Sequence, residues 1–342
     1  MDFDFSDDQQ QLRDAARRWV DKAYSFEHRR AAVAAGGFSR DTWNALAELG
    51  LTALNVPEEH GGMGMGAVEA MVVMEEMGRG MVLEPLAQSL IAAKVLANYG
   101  TDTVQADWLP RIASGEALVV LAHQERRARY RLDKCESKAT KTPTGYTLTA
   151  HKSLVPAGDQ ADAFLVPALL NGTQALFLLE RSAPGVTTRG YLTQDGSRAA
   201  EVEAEHSPAT LVTPEGLAVL ELAVDIGSAA VCAEAVGVMD QVMTITADYL
   251  NQRKQFGVAI ASFQALRHRL ADMKMQLELA RSMSYYASLQ LEQPAEQRRR
   301  AIARARVQLG QSMRFVGQQA VQLHGGIGVT DEYIVSHQFK KL

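Results

Sequence analysis

Two stretches near the end of the chain combine residue types that could hold an anionic ligand. The first reads YLNQRKQFG at residues 249–257, and the second reads QLHGGIGVT at residues 322–330. In the first stretch Arg253 lies where one predicted helix gives way to the next, so its guanidinium and the backbone amides of the next helix could together bind a diphosphate. In the second stretch the Gly-Gly pair leaves bare backbone for a ligand to approach. Together the stretches indicate an anionic, planar cofactor.

Each stretch also has a simpler explanation in helix capping. Gly257 could end a helix in a left-handed conformation while the charges around it face water. Thr330 is predicted to be the N-cap of a last helix, with Asp331 and Glu332 in its first turn. Capping accounts for either stretch taken alone, and the occurrence of both favours a ligand.

The chain offers little for hydrolysis, metal catalysis or a nucleotide-binding glycine loop. The glycines of GGMGMG at residues 61–66 lack the spacing G-x-G-x-x-G, so we predict a turn between helices there. No serine lies in a nucleophile elbow, and no predicted helix carries Glu and His at metal-binding spacing. His123 and His206 are predicted to lie at the surface or at strand ends. We therefore predict no metal site.

Composition describes an ordinary globular protein with an acidic balance. The 342 residues are 47% hydrophobic and 22% charged, with a formal net charge of -5, which argues against a nucleic-acid surface. The acidic start MDFDFSDD lacks the features of a secretory signal, and charge interrupts the apolar runs before they reach about 18 residues. Two cysteines, Cys135 and Cys232, suit a reducing compartment. We predict a cytoplasmic protein without membrane segments.

Hydrophobic periodicity divides the chain into a helical, a β and a second helical part. Apolar residues recur every three or four positions over residues 1–116 and again over residues 214–342, which predicts two helical bundles. Between them, residues 117–213 contain short runs rich in Val, Leu and Thr, separated by turn residues. Asn171-Gly172 between two of these runs predicts a β-hairpin. The predicted fold class is α+β multidomain, with an antiparallel β domain in the middle.

The order of these parts and several motifs resemble the acyl-CoA dehydrogenase family over the whole chain. The motifs are RKQFG, IASFQALRHRLADM and QLHGGIGVT near the end, with LNVPEEHGGMGMG and MVVMEEMGRG in the first helical part. The segments CAEAVGVMD and FVGQQAVQLHGGIGVTDEY are most similar in sequence to the small subunits of two-chain members, including bacterial enzymes acting on pimeloyl-CoA and on steroid side chains.

The resemblance implies FAD chemistry, in which a carboxylate removes the α-proton of an acyl-CoA thioester and the β-hydrogen leaves as hydride to the flavin. It also implies segments that reach across a subunit interface to the diphosphate and adenosine end of FAD. The residues that match these segments are Arg253, Gln255, Phe256, His268, Gln322, Leu323, Gly325 and Gly326. The implied partners are the acyl-CoA substrate, a homologous subunit in a heterotetramer or copies of the chain in a homotetramer, and an acceptor such as an electron-transfer flavoprotein.

The chain departs from the family pattern where the β part should contact the flavin ring. Family members carry Thr-Glu-Pro followed by Gly-Ser-Asp, whereas residues 122–137 read AHQERRARYRLDKCES, which places His123, Gln124 and Glu125 at the first motif. Leu154, Val155 and Pro156 match the family's Trp-Ile-Thr, and proline offers neither a hydroxyl nor an N–H group. We therefore expect poor flavin contact from this β part.

The position of the catalytic base is the second departure. The sequence ends at HQFKKL before the family's usual glutamate, and Gly227 matches the position where a minority of members carry it. Asp225 lies two residues away in an apolar run, where burial would make it a stronger base, so we predict Asp225 as the candidate catalytic residue. The alternative is an aspartate near a helix start or a buried, hydrogen-bonded one.

Three functions remain open from the sequence. The chain is a self-sufficient homotetrameric dehydrogenase, or one subunit of a heteromer whose partner supplies the base and the flavin-ring contacts, or a flavin-free interaction protein with the same fold. The departures favour the heteromer.

Overall fold

A computed structural model of the protein describes residues 5–342. Ten α-helices occur in this part of the chain: α1 Asp7–Ala23, α2 Phe26–Ala34, α3 Arg40–Glu48, α4 Ala67–Gly80, α5 Leu86–Tyr99, α6 Asp102–Ala113, α7 Gly216–Gln252, α8 Gln264–Leu289, α9 Ala295–His324 and α10 Ile334–Lys341. The strands are β1 Val119–Leu121, β2 Lys138–Thr142, β3 Gly145–Pro156, β4 Ala163–Leu170, β5 Thr173–Glu180, β6 Val186–Leu192, β7 Arg198–Thr213, β8 Lys254–Gln255 and β9 Val258–Ala259. The predicted order of helices, strands and helices is confirmed.

Local sequence signals account for the first helix boundaries. The Ser6 hydroxyl accepts a hydrogen bond from the Gln9 amide at 3.2 Å, and the Gln9 side chain accepts one from the Ser6 amide at 3.0 Å, which is the reciprocal pattern of a capping box. The Ser39 hydroxyl caps α3 in the same way through the Thr42 amide. GGMGMG lies in turn and irregular backbone, as predicted.

The middle strands form one seven-stranded mixed sheet rather than a purely antiparallel one. β1 pairs in parallel with the start of β4, and β2 pairs in parallel with its end. The two strands therefore follow one another along the same edge of β4, and residues 122–137 leave the sheet between them. The sequence prediction missed this because turn signals reveal only pairings between strands that are neighbours in sequence.

The Asn171-Gly172 hairpin is confirmed. Leu170 pairs with Thr173, so the turn between β4 and β5 has two residues. Asn171 and Gly172 have φ values of 52° and 83°, both in the left-handed region that Asn and Gly tolerate. The turn sets the register of β4 and β5 along their whole length.

The chain forms two compact units, and the sheet belongs to the second. This unit comprises Ala32–Gly66 and Leu83–Gly227. Alternate residues of its strands enter two separate cores, with Val119 and Leu165 in one, and Val120 and Phe164 in the other. This period of two shows that both faces of the central strands are covered.

The first unit is a helical bundle made of the described residues up to Ala31, Ala67–Val82 and Ser228–Leu342. Its core includes Met239 of α7, Leu277 of α8 and Leu309 of α9. Within it α4 and α7 touch through their backbones, because a Cβ added at Gly78 would lie 1.9 Å from the Glu234 carbonyl oxygen. The domain boundaries at 116/117 and 213/214 remain a prediction.

Helix α7 differs from the sequence expectation in one respect. It is long and apolar enough to cross a membrane by length and composition, because its charged residues are so widely spaced that an 18-residue window contains two at most. Within the protein 56% of that window is buried. A core helix of a soluble protein has the same properties, so the finding is weak support for a membrane span.

Candidate functional site

The first candidate stretch forms a β-hairpin that follows α7. Lys254 pairs with Ala259 and Gln255 pairs with Val258, which leaves Phe256 and Gly257 as a two-residue turn with φ values of 53° and 81°. Gly257 therefore does not end a helix, as the capping explanation required. α7 ends at Gln252, and the positive φ at Gly257 serves the hairpin turn instead.

The side chains of this hairpin extend into solvent. Arg253, Gln255 and Phe256 are all exposed, and 91% of the Phe256 surface is accessible. The Arg253 guanidinium makes no hydrogen bond or ion pair with any residue that the structure describes, and Gln255 Nε2 donates only to the Lys254 carbonyl oxygen. An unpaired cation beside an exposed aromatic ring is suited to a phosphate and a planar group.

The second candidate stretch exposes bare backbone at the end of α9. Gly325 has φ 64° and ψ -139°, a conformation that only glycine adopts readily, and a Cβ added at Gly325 or Gly326 would meet no atom within 4 Å. Gln322 is exposed, whereas Leu323 is 7% exposed and packs in the bundle core. Leu323 can therefore offer a ligand only its backbone.

Thr330 does not cap the last helix. Its hydroxyl donates to the Ile327 carbonyl oxygen at 3.0 Å, and Thr330 follows the 3-10 helix Gly325–Val329. The N-cap of α10 is Tyr333, so Asp331 and Glu332 precede the helix instead of lying in its first turn. The sequence prediction failed because the Gly-rich segment continues as 3-10 helix before α10 begins.

His268 lies exposed in the second turn of α8. The N-cap of this helix is Phe263, and no side chain caps its first amides. Free amides at the start of a 26-residue helix favour an anion there, as the sequence prediction expected for the connection after Arg253.

A hydrogen bond joins the two candidate stretches directly. Tyr249 Oη donates to the His324 carbonyl oxygen at 3.2 Å, and the centroids of the two rings lie 4.5 Å apart. Tyr249 is one helical turn before Arg253, and its carbonyl oxygen accepts the Arg253 amide at 2.8 Å. The end of α7 that precedes the exposed hairpin therefore contacts the residue that precedes the Gly-Gly turn, within the first unit.

The residues that match the family's flavin-ring motifs lie in the second unit. Glu125 is 4% exposed and receives hydrogen bonds of 2.6 Å from Lys152 Nζ, Ser137 Oγ and the Glu136 amide. Burial raises the pKa of Glu125, but the Lys152 charge and these hydrogen bonds lower it by more. The pKa of Glu125 therefore lies below its ordinary value. The carboxylate is ionised and fully used inside the protein.

The neighbouring positions also lack groups for a flavin ring. Burial and the Lys152 charge lower the pKa of His123 to about 4, so the imidazole is neutral. Leu154 is 54% exposed with φ 53°, and Pro156 ends β3 with no donor to offer. These residues do not fit the contacts that a flavin ring requires, whereas those of the first unit fit the diphosphate and adenosine end.

The candidate base and the cofactor candidates belong to different compact units. Asp225 belongs to the second unit, is 7% exposed and interacts with other residues of the protein. At Gly227 an added Cβ would lie 3.0 Å from Ile91 Cδ1, so a longer side chain there would require the Ile91 side chain to shift. Among residues 5–342 no group of three or more His, Cys, Asp or Glu gathers as metal ligands do.

Sequence reasoning missed two arrangements that define these sites. Lys152 shares a face of β3 with Leu148, which is buried, so strand alternation could have predicted that Lys152 points inward. The contact between Tyr249 and His324 spans 75 residues, and no spacing rule predicts it.

Comparisons with known proteins agree with the geometry. The chain matches the sequence profiles of the acyl-CoA dehydrogenase N-terminal domain over residues 6–116 and of the C-terminal domain over residues 214–342. It is 28% identical to acyl-CoA dehydrogenase FadE27 of Mycobacterium tuberculosis, covering 99% of this chain and 92% of that one, and 27% identical to mitochondrial isovaleryl-CoA dehydrogenase of rice, covering 96% and 84%.

Among solved structures, the chain is similar to the ChsE4-ChsE5 complex from Mycobacterium tuberculosis. The TM-score is 0.91 at 28% identity, and the match covers 100% of this chain and 93% of that chain. Two profiles at the two ends, full-length relatives and a shared fold lead to one conclusion: the chain belongs to the acyl-CoA dehydrogenase family, whose members are FAD-dependent oxidoreductases acting on acyl-CoA.

Proposed function

We propose that this chain is one subunit of a heteromeric acyl-CoA dehydrogenase and that it supplies the clamp for the diphosphate and adenosine end of FAD. The observation that carries the proposal is that the exposed Arg253, whose guanidinium has no partner among residues 5–342, and the open backbone at Gly325 are linked through Tyr249 and His324. When bound, FAD supplies the hydride acceptor for α,β-dehydrogenation of the thioester.

Each clamp residue has a physical role in binding. Arg253 neutralises phosphate charge with a charge-assisted hydrogen bond, and Phe256 covers a planar group. Gln322 supplies a polar side chain, and Gly325 and Gly326 let the ligand approach the backbone closely. The uncapped start of α8, near His268, favours the negative charge of the diphosphate.

In this proposal a homologous partner subunit supplies the flavin-ring contacts and the catalytic carboxylate. The support is that Glu125 is already bound to Lys152, that Pro156 has no donor, and that position 227 is a glycine without a carboxylate. A similar protein is described as the ChsE4-ChsE5 complex, which is consistent with a two-chain enzyme. The assembly is a heterotetramer in the cytoplasm of a bacterium, and it passes electrons to a carrier such as an electron-transfer flavoprotein.

Flavin content tests the proposal against both alternatives. The chain is purified alone and after co-expression with its homologous partner, and bound flavin is measured by absorbance after dialysis. We expect flavin only in the mixed complex, because one chain lacks ring contacts. Stoichiometric flavin in a homotetramer of this chain would support the self-sufficient enzyme. A mixed complex without flavin would support the flavin-free interaction protein.

A further inference from the structure

We propose that His324 is a positioning residue that holds the two halves of the FAD clamp in register. The inference rests on the proposed function, because it assigns His324 a role in the clamp described there. His324 is 3% exposed, so it does not contact a ligand through its side chain from the surface. It acts through Tyr249, Gly325 and the segment that leads into α10.

His324 is fixed from three sides by separate elements. Its Nδ1 atom lies 2.8 Å from the Ala320 carbonyl oxygen, so Nδ1 carries the proton and donates to α9. Its ring lies against Tyr249 of α7, with 4.5 Å between centroids, and against Tyr333 at the N-cap of α10, with 5.3 Å between centroids. These contacts hold the imidazole between α9, α7 and the N-cap of α10.

Both halves of the clamp begin next to this ring. Gly325, with its glycine-only conformation, directly follows His324, and the Arg253 amide is hydrogen-bonded to the Tyr249 carbonyl oxygen. Movement of the His324 ring would shift Tyr249 and the Gly-Gly turn relative to each other. A ligand that contacts both halves would then lose contacts to one of them.

A neutral imidazole suits this position. Burial lowers the pKa of His324, and its Nε2 atom is buried without a hydrogen-bond partner among residues 5–342. A second N–H group there would have no acceptor, which disfavours the cation. The ring therefore packs between the two tyrosines without burying a charge.

The proposed clamp holds the diphosphate and adenosine end of FAD, of which FMN keeps only one phosphate, so His324 should govern discrimination between the two flavins. FAD contacts both halves of the clamp, whereas FMN ends before the adenosine. Loss of register between the two halves of the clamp should therefore weaken FAD binding while leaving FMN binding nearly unchanged. A general loss of protein stability would weaken the binding of both flavins alike.

The test measures dissociation constants for FAD and FMN in the apo form of the mixed complex, together with thermal unfolding. The variants are His324→Ala, His324→Phe, which keeps a ring, and Tyr249→Phe, which removes only the hydroxyl. Ile302→Ala is the matched control, because Ile302 is 4% exposed in the core of the same bundle and lies on α9 about six helical turns before His324. Fluorescence of released flavin reports the binding.

We expect His324→Ala to lower the ratio of FMN to FAD dissociation constants by about tenfold or more, with a smaller loss in His324→Phe and Tyr249→Phe. Ile302→Ala should lower the unfolding temperature with the ratio unchanged. An unchanged ratio in His324→Ala, or an equal fall in Ile302→Ala, would overturn the inference. If His324→Ala does not fold, the comparison of His324→Phe with Ile302→Ala decides. A wild-type complex that binds neither flavin would overturn the proposed function and the inference with it.

Discussion

Lys152 Nζ lies 2.6 Å from Glu125 Oε1, and the two side chains are 1% and 4% exposed. Lys152 also donates to the Pro167 carbonyl oxygen at 2.9 Å, and Glu125 accepts from Ser137 and the Glu136 amide. The pair therefore has the additional hydrogen bonds that a buried ion pair needs. It anchors both ends of the segment between β1 and β2 and removes Glu125 from any ligand.

The destabilising effects of removing the two members of this pair should not be additive. We expect Glu125→Gln or Lys152→Met to lower the free energy of unfolding by about 3 to 5 kcal/mol, because each leaves a buried charge without its partner. The double variant should be less destabilised than the sum of the two. Urea unfolding of all four proteins measures the coupling, and additive effects would show that the pair is not coupled.

The ion pair between Glu125 and Lys152 should also make the free energy of unfolding depend on pH in the acid range. The pKa of Glu125 is lower in the folded protein than its ordinary 4.5, so its contribution to stability is present above pH 4.5 and is lost as the pH falls through the folded value. The difference in unfolding free energy between wild type and Glu125→Gln should shrink below pH 4.5. A difference that grows in acid would contradict the ionised assignment.

Arg253 is predicted to hold the diphosphate end of FAD. Arg253→Ala should weaken FAD binding by about 10- to 150-fold, because a charge-assisted hydrogen bond contributes about 1.5 to 3 kcal/mol. Arg304→Ala removes another exposed arginine, from α9, and serves as the control. Equilibrium dialysis of the mixed complex measures the FAD affinity of both variants. Equal FAD affinity in Arg253→Ala and wild type would show that Arg253 is not part of the clamp.

Glu75 in α4 should make the helical unit less stable as the pH rises. Burial raises its pKa to about 7 despite Arg13, which lies 3.0 Å from Oε2, and Arg281, and its Oε1 atom has no hydrogen-bond partner among the described residues. A raised pKa means that the contribution of Glu75 is fully present below pH 4.5, the ordinary value, and is lost as the pH rises through about 7.

Glu75→Gln tests this dependence, because the amide does not titrate. The unfolding free energy of wild type relative to the variant should fall between pH 5 and pH 8, by about 3 kcal/mol at most. Denaturant unfolding at several pH values measures the difference. A relative stability that rises over this range would show that the two arginines outweigh burial.

Asp225 and Gly227 are expected to contribute no base. In the mixed complex Asp225→Asn should retain dehydrogenation of acyl-CoA, because Asp225 is already engaged inside the protein. Gly227→Glu should destabilise the chain by about 1 to 3 kcal/mol, because its side chain meets Ile91. A loss of activity of about 100-fold or more in Asp225→Asn, with folding intact, would make Asp225 the base.

Local signals predicted the parts of the fold that depend on short spacing. The Ser6 capping box and the Asn171-Gly172 hairpin are read from neighbouring residues, and both are confirmed. The parallel pairing of β1 with β4 depends on residues 44 positions apart, as Val119 with Ala163 shows, and the sequence carries no local sign of it.

In the candidate site, too, local sequence predicted some features, whereas others depend on tertiary contacts. Residue types pointed to Arg253 and the Gly-Gly turn as ligand-binding segments, but not to the hairpin that presents Arg253, because two strands of two residues each have no readable alternation. The roles of His324 and Lys152 depend on tertiary contacts, with Tyr249 and Glu125 respectively. Only the structure brings those partners together.

Reduction of the flavin by substrate tests most directly whether this chain depends on a partner subunit for catalysis. The chain alone, its partner alone and the mixed complex are each reconstituted with FAD, mixed anaerobically with a saturated acyl-CoA without an external acceptor, and followed by flavin absorbance. We predict bleaching in the mixed complex and a rate at least about 100-fold lower for this chain alone, because in the proposed enzyme the partner subunit supplies the carboxylate that removes the α-proton. Bleaching of this chain alone at the full rate would contradict this prediction.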